Sequence, residues 1–486
     1  MPPIIGRIEE QHRLDTLYQS QKAEFLAVYG RRRVGKTFLI SQFFKNKGIY
    51  LEITGSKEAS TREQLTYFYR EFSALFQSEE ASIAPQNWSE AFHLLTKAFE
   101  KIPPSQKLVL FFDELPWLAS PKSKFLSVLD YYWNRHFSKM SNILLIICGS
   151  AASWMIKKVI HHRGGLYGRL SYEIRLQPFS LSETRDFFRA KQIELSEKQI
   201  VEVYMVTGGI PKYLSYVEKG LSSMQVINAL CFTPQGPLVK EFHKLYSSLF
   251  EDAYRHTTII ALLAKKRNGL LQKEIQQQAQ IPLGGRFGEI LEELEESGFI
   301  IPLSTYGKKT KEKRYRLLDE YSLFYLEWID HAKLSILSGE KDYWMKKCFT
   351  PSWHTWAGVA FENICFRHIN KIKDALGIGA VSTQVSYWKY VPEEEGESGA
   401  EIDLLLDRAD HCIHLCEIKF YSCEYSLSKQ EAENLERKKS LFIEKTKTKK
   451  TVFVTLITPF GALKNAHYLH SVQNQLTLQD LFDLVR

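Results

Sequence analysis

The sequence has few cysteines, and the seven that it has follow neither a disulfide pattern nor a metal-binding pattern. Their number is odd, they are scattered, and several lie within apolar runs, as reduced and buried thiols do. The segment with Cys412, Cys416 and Cys423 contains no Cys-x-x-Cys pair and no histidine at zinc-finger spacing. The cysteines therefore exclude a disulfide-stabilised secreted scaffold, argue against a zinc site and indicate a cytoplasmic protein.

The sequence also lacks a long apolar run and a signal peptide. A membrane-spanning helix needs about 18 or more consecutive apolar residues, and a signal peptide needs a charged segment followed by an apolar one. The N-terminal segment 1–7 shows neither feature. We therefore expect no export and no membrane partner.

The sequence has only a small excess of positive over negative charge. The 64 Lys and Arg residues against 56 Asp and Glu give a net charge of +8, which favours a polyanionic partner only where basic residues cluster. A length of 486 residues exceeds what one hydrophobic core usually serves, and an apolar fraction of 44% suffices for several packed cores. We therefore expect a globular chain of about three domains.

The first motif that the sequence contains is a phosphate-binding loop between a short apolar run (25–29) and a helical pattern (38–44). The loop reads Gly30-Arg31-Arg32-Arg33-Val34-Gly35-Lys36-Thr37. Gly30 and Gly35 permit a tight turn whose backbone N–H groups surround phosphates, Lys36 reaches the β and γ oxygens, and Thr37 offers a hydroxyl to Mg²⁺. The loop predicts binding of ATP and Mg²⁺.

An acidic pair follows the next strongly apolar strand. Residues 108–112 lead into Asp113 and Glu114, so we expect Asp113 to hold Mg²⁺ through water and Glu114 to orient or deprotonate the attacking water. A solvated acidic pair after a core strand is the alternative. A third apolar run, 143–147, ends near Ser150, a small polar residue placed to sense the γ-phosphate.

Two further elements follow the third strand. Arg169 lies in a Gly-Arg-Leu segment after a loop rich in His and Gly, and a Gly-Gly-x-Pro turn occupies 208–211. The pattern over residues 1–240 resembles the archaeal-type ATPases of the wider AAA+/STAND group. The resemblance implies a P-loop core at 1–178, a helical lid at 179–240, assembly as a homo-oligomer, and a role for Arg169 as a finger across a subunit interface. A salt-bridged surface arginine is the alternative for Arg169.

Residues 241–325 show the layout of a winged helix: helices, a turn, a helix and then a basic hairpin. The exposed side of the helix that would read DNA is acidic, which disfavours phosphate contact; its residues are Glu289, Glu292, Glu293, Glu295 and Glu296. We therefore expect a lid or an interdomain adaptor here. Lysines 308, 309 and 311 in the hairpin are candidates for DNA backbone contact or for a solvated wing. A helical connector follows at 326–355.

The last segment carries a carboxylate and lysine set suited to phosphodiester chemistry. Glu362 lies at the margin of an apolar helical face, Asp403 lies in an apolar strand, and Glu417 and Lys419 are two apart, so both face the same side of the next strand. Carboxylates of this kind bind Mg²⁺, which polarises a phosphate, while a lysine positions the nucleophile or stabilises charge. We expect Asp403 and Glu417 to share the metal.

The predicted order of elements over 356–486 is α-β-β-β-α-β. This segment resembles the PD-(D/E)XK nuclease superfamily, in which Glu362, Asp403, Glu417 and Lys419 match the helix acid, the hairpin acid and the E-x-K motif. The resemblance implies a restriction-endonuclease-like α/β domain. An inactive form of the same fold, used for binding, is the alternative.

The sequence as a whole predicts an α/β protein with a P-loop NTPase parallel sheet, a helical lid, a winged-helix domain and the nuclease-like domain. We expect a cytoplasmic ATPase that uses ATP and Mg²⁺, acts on DNA through mainly backbone contacts, and cuts it under ATPase control. The rival function is a regulatory ATPase whose last domain binds nucleic acid or a partner without cutting it.

Overall fold

The computed structural model describes residues 3–76, 84–160, 166, 168–281, 285–307, 313–340, 343–392 and 398–483. The His/Gly-rich segment 161–165 and the three wing lysines at 308, 309 and 311 therefore lie outside the described residues. The chain divides into two compact units, Met1–Pro178 and Phe179–Arg486. In the described part of the chain, no helix combines the length and apolar composition that crossing a bilayer requires.

The first unit alternates strands and helices. Its elements are α1 (Ile8–Gln19), β1 (Glu24–Tyr29), α2 (Lys36–Phe44), β2 (Ile49–Thr54), α3 (Thr61–Phe76), α4 (Trp88–Glu100), β3 (Leu108–Asp113), α5 (Leu115–Leu118), α6 (Phe125–Arg135), a 3₁₀ turn (Phe137–Lys139), β4 (Ile143–Gly149), α7 (Ala152–Met155), a π turn (Ile156–Ile160) and β5 (Tyr172–Arg175).

These strands form a parallel sheet in the order β2-β3-β4-β1-β5. Strands β1, β3 and β4 are buried along their whole length, which explains their continuous apolar sequences. Aromatic side chains of α3, α4 and α6 pack on one face, among them Phe68, Phe92 and Phe125. Because the strands are parallel, the ends of β1, β3 and β4 meet at one edge, where a ligand site is expected.

The second unit begins with a group of helices over the predicted lid. They are α8 (Leu181–Ala190), α9 (Glu197–Thr207), α10 (Pro211–Leu214), α11 (Ser223–Cys231) and α12 (Glu241–Leu249). Ser180, Ser196 and Ser222 begin α8, α9 and α11 with reciprocal capping boxes. Gly208 and Gly209 both have positive φ and make the turn after α9.

The next elements follow in the order helix, strand, helix, helix, strand, strand. They are α13 (Ala253–Ala264), β6 (Leu270–Leu271), α14 (Gln272–Ala279), α15 (Gly285–Glu296), β7 (Ile300–Thr305) and β8 (Lys313–Leu317). Strand β8 pairs antiparallel with both β6 and β7. The apolar face of α15 is buried through Phe287, Ile290 and Leu294.

Helices rich in aromatic residues follow. They are α16 (Glu320–Phe324), a π turn (Tyr325–Ile329), α17 (Lys333–Leu337), α18 (Tyr343–Lys347), α19 (Pro351–Arg367) and α20 (Ile369–Ala375). Four tryptophans, Trp328, Trp344, Trp353 and Trp356, contact one another with ring centroids 4.9–6.4 Å apart. Such aromatic clusters bury large areas and stabilise the helices around α19.

The final elements are β9 (Thr383–Tyr390), β10 (Ala400–Arg408), β11 (Cys412–Ile418), α21 (Lys429–Thr446), β12 (Thr451–Ile457), α22 (Ala466–Ser471), β13 (Asn474–Leu476) and α23 (Leu478–Phe482). Strand β10 is antiparallel to β9 and β11, whereas β12 is parallel to β11. A β-bulge interrupts β10 between Ile402 and Leu405.

One sheet runs through the second unit in the order β13-β12-β11-β10-β9-β7-β8-β6. The junction is a parallel pairing of β7 with β9, in which Ser304 opposes Ser386 and Thr305 opposes Tyr387. The segments that the sequence predicts as a winged-helix domain and as a nuclease-like domain therefore share a single sheet.

Candidate functional site

The phosphate-binding loop joins β1 to α2 and depends on two glycines. Gly30 has φ of +138°, and a side chain there would place its Cβ atom 2.4 Å from the backbone oxygen of Leu176. Gly35 has φ of +93° and directly precedes α2. Glycine adopts such backbone angles without strain, so these two residues permit the tight turn that leads into the N-terminus of α2.

The charged residues of this loop differ in exposure. Lys36 is buried, and its Nζ atom donates to the oxygens of Gly30 (2.9 Å) and Arg31 (3.0 Å), so the ammonium lies across the loop. Arg31 is buried, Arg32 is exposed, and Arg33 is partly exposed with φ of +72°. The ammonium is therefore placed where phosphate oxygens bind in loops of this kind.

Arg7 supports the loop from the start of α1. It is buried and donates to the oxygens of Val34 (3.3 Å) and Gln177 (2.7 Å). This role of Arg7 was not predicted, because no local motif marks an arginine whose partners lie 27 and 170 residues away.

Asp113 ends β3 and faces the loop. Its Oδ2 atom accepts a hydrogen bond from the Thr37 hydroxyl at 2.7 Å, while Oδ1 is buried and has no hydrogen-bond partner among the described residues. Burial raises the pKa of Asp113, since burial disfavours the charged carboxylate. A hydroxyl beside a carboxylate is an oxygen donor set of the kind that Mg²⁺ prefers, so Thr37 and Asp113 fit the expected ion.

Glu114 follows Asp113 directly, and its backbone lies in the left-handed region. It has φ of +48°, an uncommon conformation for a residue with a side chain. Its Oε2 atom accepts hydrogen bonds from the Ser150 hydroxyl (2.8 Å) and the Ser150 backbone N–H (3.3 Å). The residue predicted as a γ-phosphate sensor therefore bonds the predicted water-orienting glutamate.

Arg169 is exposed, and it precedes β5. The backbone N–H of Ser171, two residues later, donates to the oxygen of Phe25, near the beginning of β1. Gly30 follows Phe25 by five residue steps along β1, about 17 Å at the usual strand rise. Arg169 thus lies toward the opposite edge of the sheet from the ATP loop of its own chain.

Glu362, in α19, was predicted at the margin of an apolar face, but the structure buries it to 1% exposure. Two arginines compensate its charge. The buried Arg316 donates to Glu362 Oε2 at 3.0 Å and to Asn363 Oδ1 at 2.9 Å. Arg267 donates from Nε to Oε2 at 3.3 Å, and its terminal nitrogen contacts Oε1.

Asp403, in β10, joins this group through Arg267. The same terminal nitrogen of Arg267 that contacts Glu362 lies 3.2 Å from Asp403 Oδ2. The structure therefore brings together two of the four predicted nuclease-type residues, with a guanidinium between them.

Glu417 and Lys419 form a second group. Lys419 Nζ lies 2.9 Å from Glu417 Oε1, and Lys438 Nζ, from α21, lies 3.0 Å from Oε2. Burial alone would raise the pKa of Glu417, but the two ammonium groups outweigh it and lower this pKa. Glu417 and Lys419 thus share a face, as their spacing predicts.

The carboxylates in this arrangement do not fit a metal ion. Each is neutralised by arginine or lysine, and the described residues contain no group of three or more His, Cys, Asp or Glu side chains that could hold one. The pairing of these carboxylates with Arg267, Arg316 and Lys438 was not predicted. All three cations lie in basic runs of the sequence, at 265–267, 313–316 and 437–439, but a basic run does not reveal partners that lie 21 to 136 residues away.

The chain matches two protein families. Residues 5–217 match a family described as an ATPase domain predominantly from Archaea, and residues 325–435 match one described as archaeal and bacterial proteins of unknown function. Together with the loop and the parallel sheet, the first match supports an archaeal-type P-loop ATPase domain over residues 5–217. The predicted P-loop α/β fold is confirmed, and the family supports ATP binding and hydrolysis.

Similar proteins come from several archaea. An uncharacterized Methanocaldococcus jannaschii protein, MJECL04, is 25% identical over 410 residues, covering 83% of this chain and 84% of that protein. An uncharacterized ATP-binding protein of the same organism, MJ0423, is 47% identical over 46 residues, 10% of this chain and 78% of its own length. Among solved structures, the Walker-type ATPase paby2304 of Pyrococcus abyssi has a TM-score of 0.48 at 20% identity, covering 67% of this chain and 98% of its own. The Aeropyrum pernix ORC2 protein has a TM-score of 0.42 at 15% identity, covering 69% and 97%.

Proposed function

We propose that this protein uses ATP binding and hydrolysis to control a nuclease-like module that acts on DNA. The observation that carries the nuclease-like part is the order α19-β9-β10-β11-α21-β12. In this order Glu362 lies on the first helix, Asp403 on the second strand, Glu417 on the third, and Lys419 directly after it. This is the order that the PD-(D/E)XK resemblance implies, and the antiparallel and then parallel strand pairings support it.

In this proposal each residue of the ATP site has a distinct role. Backbone N–H groups of the loop and Lys36 bind the phosphates, while Thr37 and Asp113 would hold Mg²⁺, which neutralises charge on the phosphates when bound. Glu114 orients the attacking water. Ser150 positions Glu114, since its hydroxyl bonds the carboxylate that must face the water.

The segment 241–325 acts in this proposal as an adaptor with a winged-helix layout. Glu293 of α15 bonds the fully buried His256 of α13 at 2.8 Å and lies 3.7 Å from Arg286. The acidic side chains on the exposed side of α15 would also repel the phosphates that line a DNA groove. This supports an adaptor role for the segment.

A regulatory ATPase with a last module that binds nucleic acid or a partner without cutting it is the second candidate. The neutralised carboxylates favour it, because cleavage of the proposed kind requires a divalent cation at Asp403 and Glu417. Among the described residues, no group of three or more His, Cys, Asp or Glu side chains could hold such an ion.

A cleavage assay decides between the two. Linear, nicked and single-stranded DNA are incubated with the full chain and Mg²⁺ or Mn²⁺, with and without ATP. Cleavage that is lost in Asp403→Asn and Lys419→Ala, but kept in Glu401→Gln, supports the nuclease. Glu401 is the matched control because it lies two residues from Asp403 and pairs with the exposed Lys389 at 3.3 Å. DNA binding without cleavage under every condition supports the second candidate.

A further inference from the structure

A cavity of about 480 Å³ lies beside the ion pairs of Glu362, within the second unit. Its volume falls within the range of about 300–1,000 Å³ that small-molecule sites usually have. Part of its lining is apolar and includes Leu263, Leu323, Val359 and the buried Trp356. A ligand that fills this cavity therefore needs an apolar part.

The rest of the lining is mainly cationic. Among the described residues that line the cavity, four are cationic and one, Glu327, is acidic. The cations are Lys265, Lys266, Arg267 and Arg316. Lys265 and Lys266 are exposed, and their side chains form no hydrogen bond or ion pair with a described residue. This excess of positive charge attracts an anion.

Both arginines keep unused hydrogen-bond donors. A guanidinium carries N–H groups on each of its nitrogens. Arg316 is 2% exposed; its Nε bonds Asn363 at 2.9 Å, its Nη2 bonds Glu362 at 3.0 Å, and its Nη1 bonds no described residue. Arg267 likewise contacts Glu362 and Asp403 through Nε and Nη2 and leaves Nη1 without a partner in the described part of the chain. Buried N–H donors are nearly always hydrogen-bonded in native proteins, so the cavity is where Arg316 finds an acceptor.

The carboxylates beside the cavity do not oppose an anion. Glu362 is paired with both arginines, and Asp403 is paired with Arg267. Phosphate is an anion that suits the free donors, because arginine and lysine bind its oxygens through short, charge-assisted hydrogen bonds. A nucleobase suits the apolar lining, since its flat faces pack on aromatic and apolar side chains. A nucleotide carries both groups in one molecule.

We propose that this cavity binds a nucleoside 5′-monophosphate group. Lys265, Lys266 and the Nη1 atoms of the two arginines hold the phosphate, and the apolar lining holds the base. A free nucleotide and the 5′-phosphorylated end of a DNA strand both present this group. The site goes beyond the proposed function: its lining lies in the second unit, whereas the ATP loop lies in the first, and it does not require that the protein cuts DNA.

Isothermal titration calorimetry of the full chain, with thymidine 5′-monophosphate as the probe, tests the site. Every protein in the test carries Lys36→Ala, which removes a phosphate contact of the ATP loop. Thymidine 5′-monophosphate should bind at least about tenfold more tightly than thymidine or inorganic phosphate, since each of these lacks part of the contacts. Lys265→Gln with Lys266→Gln should weaken binding at least about tenfold. The control pair Lys447→Gln with Lys449→Gln removes the same charge from exposed positions outside the cavity and should leave binding unchanged.

A further variant tests the cavity itself. Val359→Phe enlarges a partly exposed side chain of the apolar lining. It should reduce the affinity for thymidine 5′-monophosphate to that for inorganic phosphate and leave the affinity for inorganic phosphate unchanged, with circular dichroism to show that the chain is folded. The proposal is overturned if the nucleotide binds no better than thymidine, if the Lys265 and Lys266 pair has no effect, or if folded Val359→Phe binds the nucleotide as its parent does.

Two DNA strands of the same sequence, one with a 5′-phosphate and one with a 5′-hydroxyl, identify the source of the group. A preference for the phosphorylated strand that is lost in the Lys265 and Lys266 pair assigns the site to DNA ends. Binding of the free nucleotide without such a preference assigns it to a free nucleotide. Nucleotide binding without DNA cleavage supports the site and refutes the nuclease, whereas DNA cleavage without nucleotide binding refutes the site alone.

Discussion

Replacing Arg316 by methionine tests whether the buried ion pair stabilises the helix that carries Glu362. The substitution keeps the apolar stem and removes the guanidinium, so the bonds to Glu362 (3.0 Å) and Asn363 (2.9 Å) are lost. Burial lowers the pKa of Arg316 to about 10, which means that the charged guanidinium is itself held at a cost. The substitution therefore destabilises the protein mainly by leaving the buried Glu362 carboxylate with Arg267 as the remaining one of its two arginine partners.

The magnitude follows from this reasoning. Removing one partner of a buried pair costs about 3–5 kcal/mol, because the other charge is left uncompensated. Since Arg267 keeps a contact with Glu362, we expect the lower end, about 3 kcal/mol. The double variant with Glu362→Gln should recover most of that loss, since no buried carboxylate then lacks its partner.

Hydrogen exchange of the backbone amides of α19, followed by mass spectrometry, measures this free energy locally, which suits a chain of two units. A loss of about 3 kcal/mol accelerates exchange limited by local opening by about a hundredfold. The control Arg286→Met removes a surface ion pair whose arginine is 44% exposed, and it should cost less than about 1 kcal/mol. Unchanged α19 exchange in Arg316→Met, or equal exchange in the single and double variants, would refute the argument.

Three predictions concern the ATPase domain. Ser150→Ala should leave ATP binding intact and lower ATP turnover by about tenfold, because Glu114 loses the hydroxyl that positions it; unchanged turnover would contradict that role. Arg169→Ala and Lys36→Ala should each abolish turnover alone and partly restore it when mixed, since a finger acting across subunits complements an intact loop; no rescue in demonstrated mixed oligomers would exclude it. Gly30→Ala should abolish ATP binding and lower the melting temperature, because its Cβ would collide with a backbone oxygen; normal binding in a fluorescent-nucleotide assay would contradict this.

The ATP loop could be predicted because its determinants are local. Gly30, Lys36 and Thr37 lie within eight residues, and Asp113 ends a fully buried apolar strand, so spacing and hydrophobicity were sufficient. The contact of Ser150 with Glu114 could not be derived, since it depends on β3 and β4 being neighbours in the sheet, and the sequence does not state strand order.

The arginine partners of Glu362 and Asp403 could not be predicted from the sequence either. The sequence placed Glu362 and Asp403 in one module, but Arg267 and Arg316 come from a segment that composition assigns to another domain. Their contacts span 46 to 136 residues, and the pairing of β7 with β9 is one of the contacts that bring the segments together. No local periodicity encodes a pairing between strands so far apart.

The sheet that joins the segment 241–325 to the last segment limits how the protein can be divided into fragments in the laboratory. A fragment that begins at 325 or 356 leaves β9 without its neighbour β7, and a fragment that ends before 351 leaves β7 equally bare. Open strand edges recruit other chains, so both fragments should aggregate during expression. The smallest portion of the C-terminal half that we expect to remain soluble therefore contains both segments.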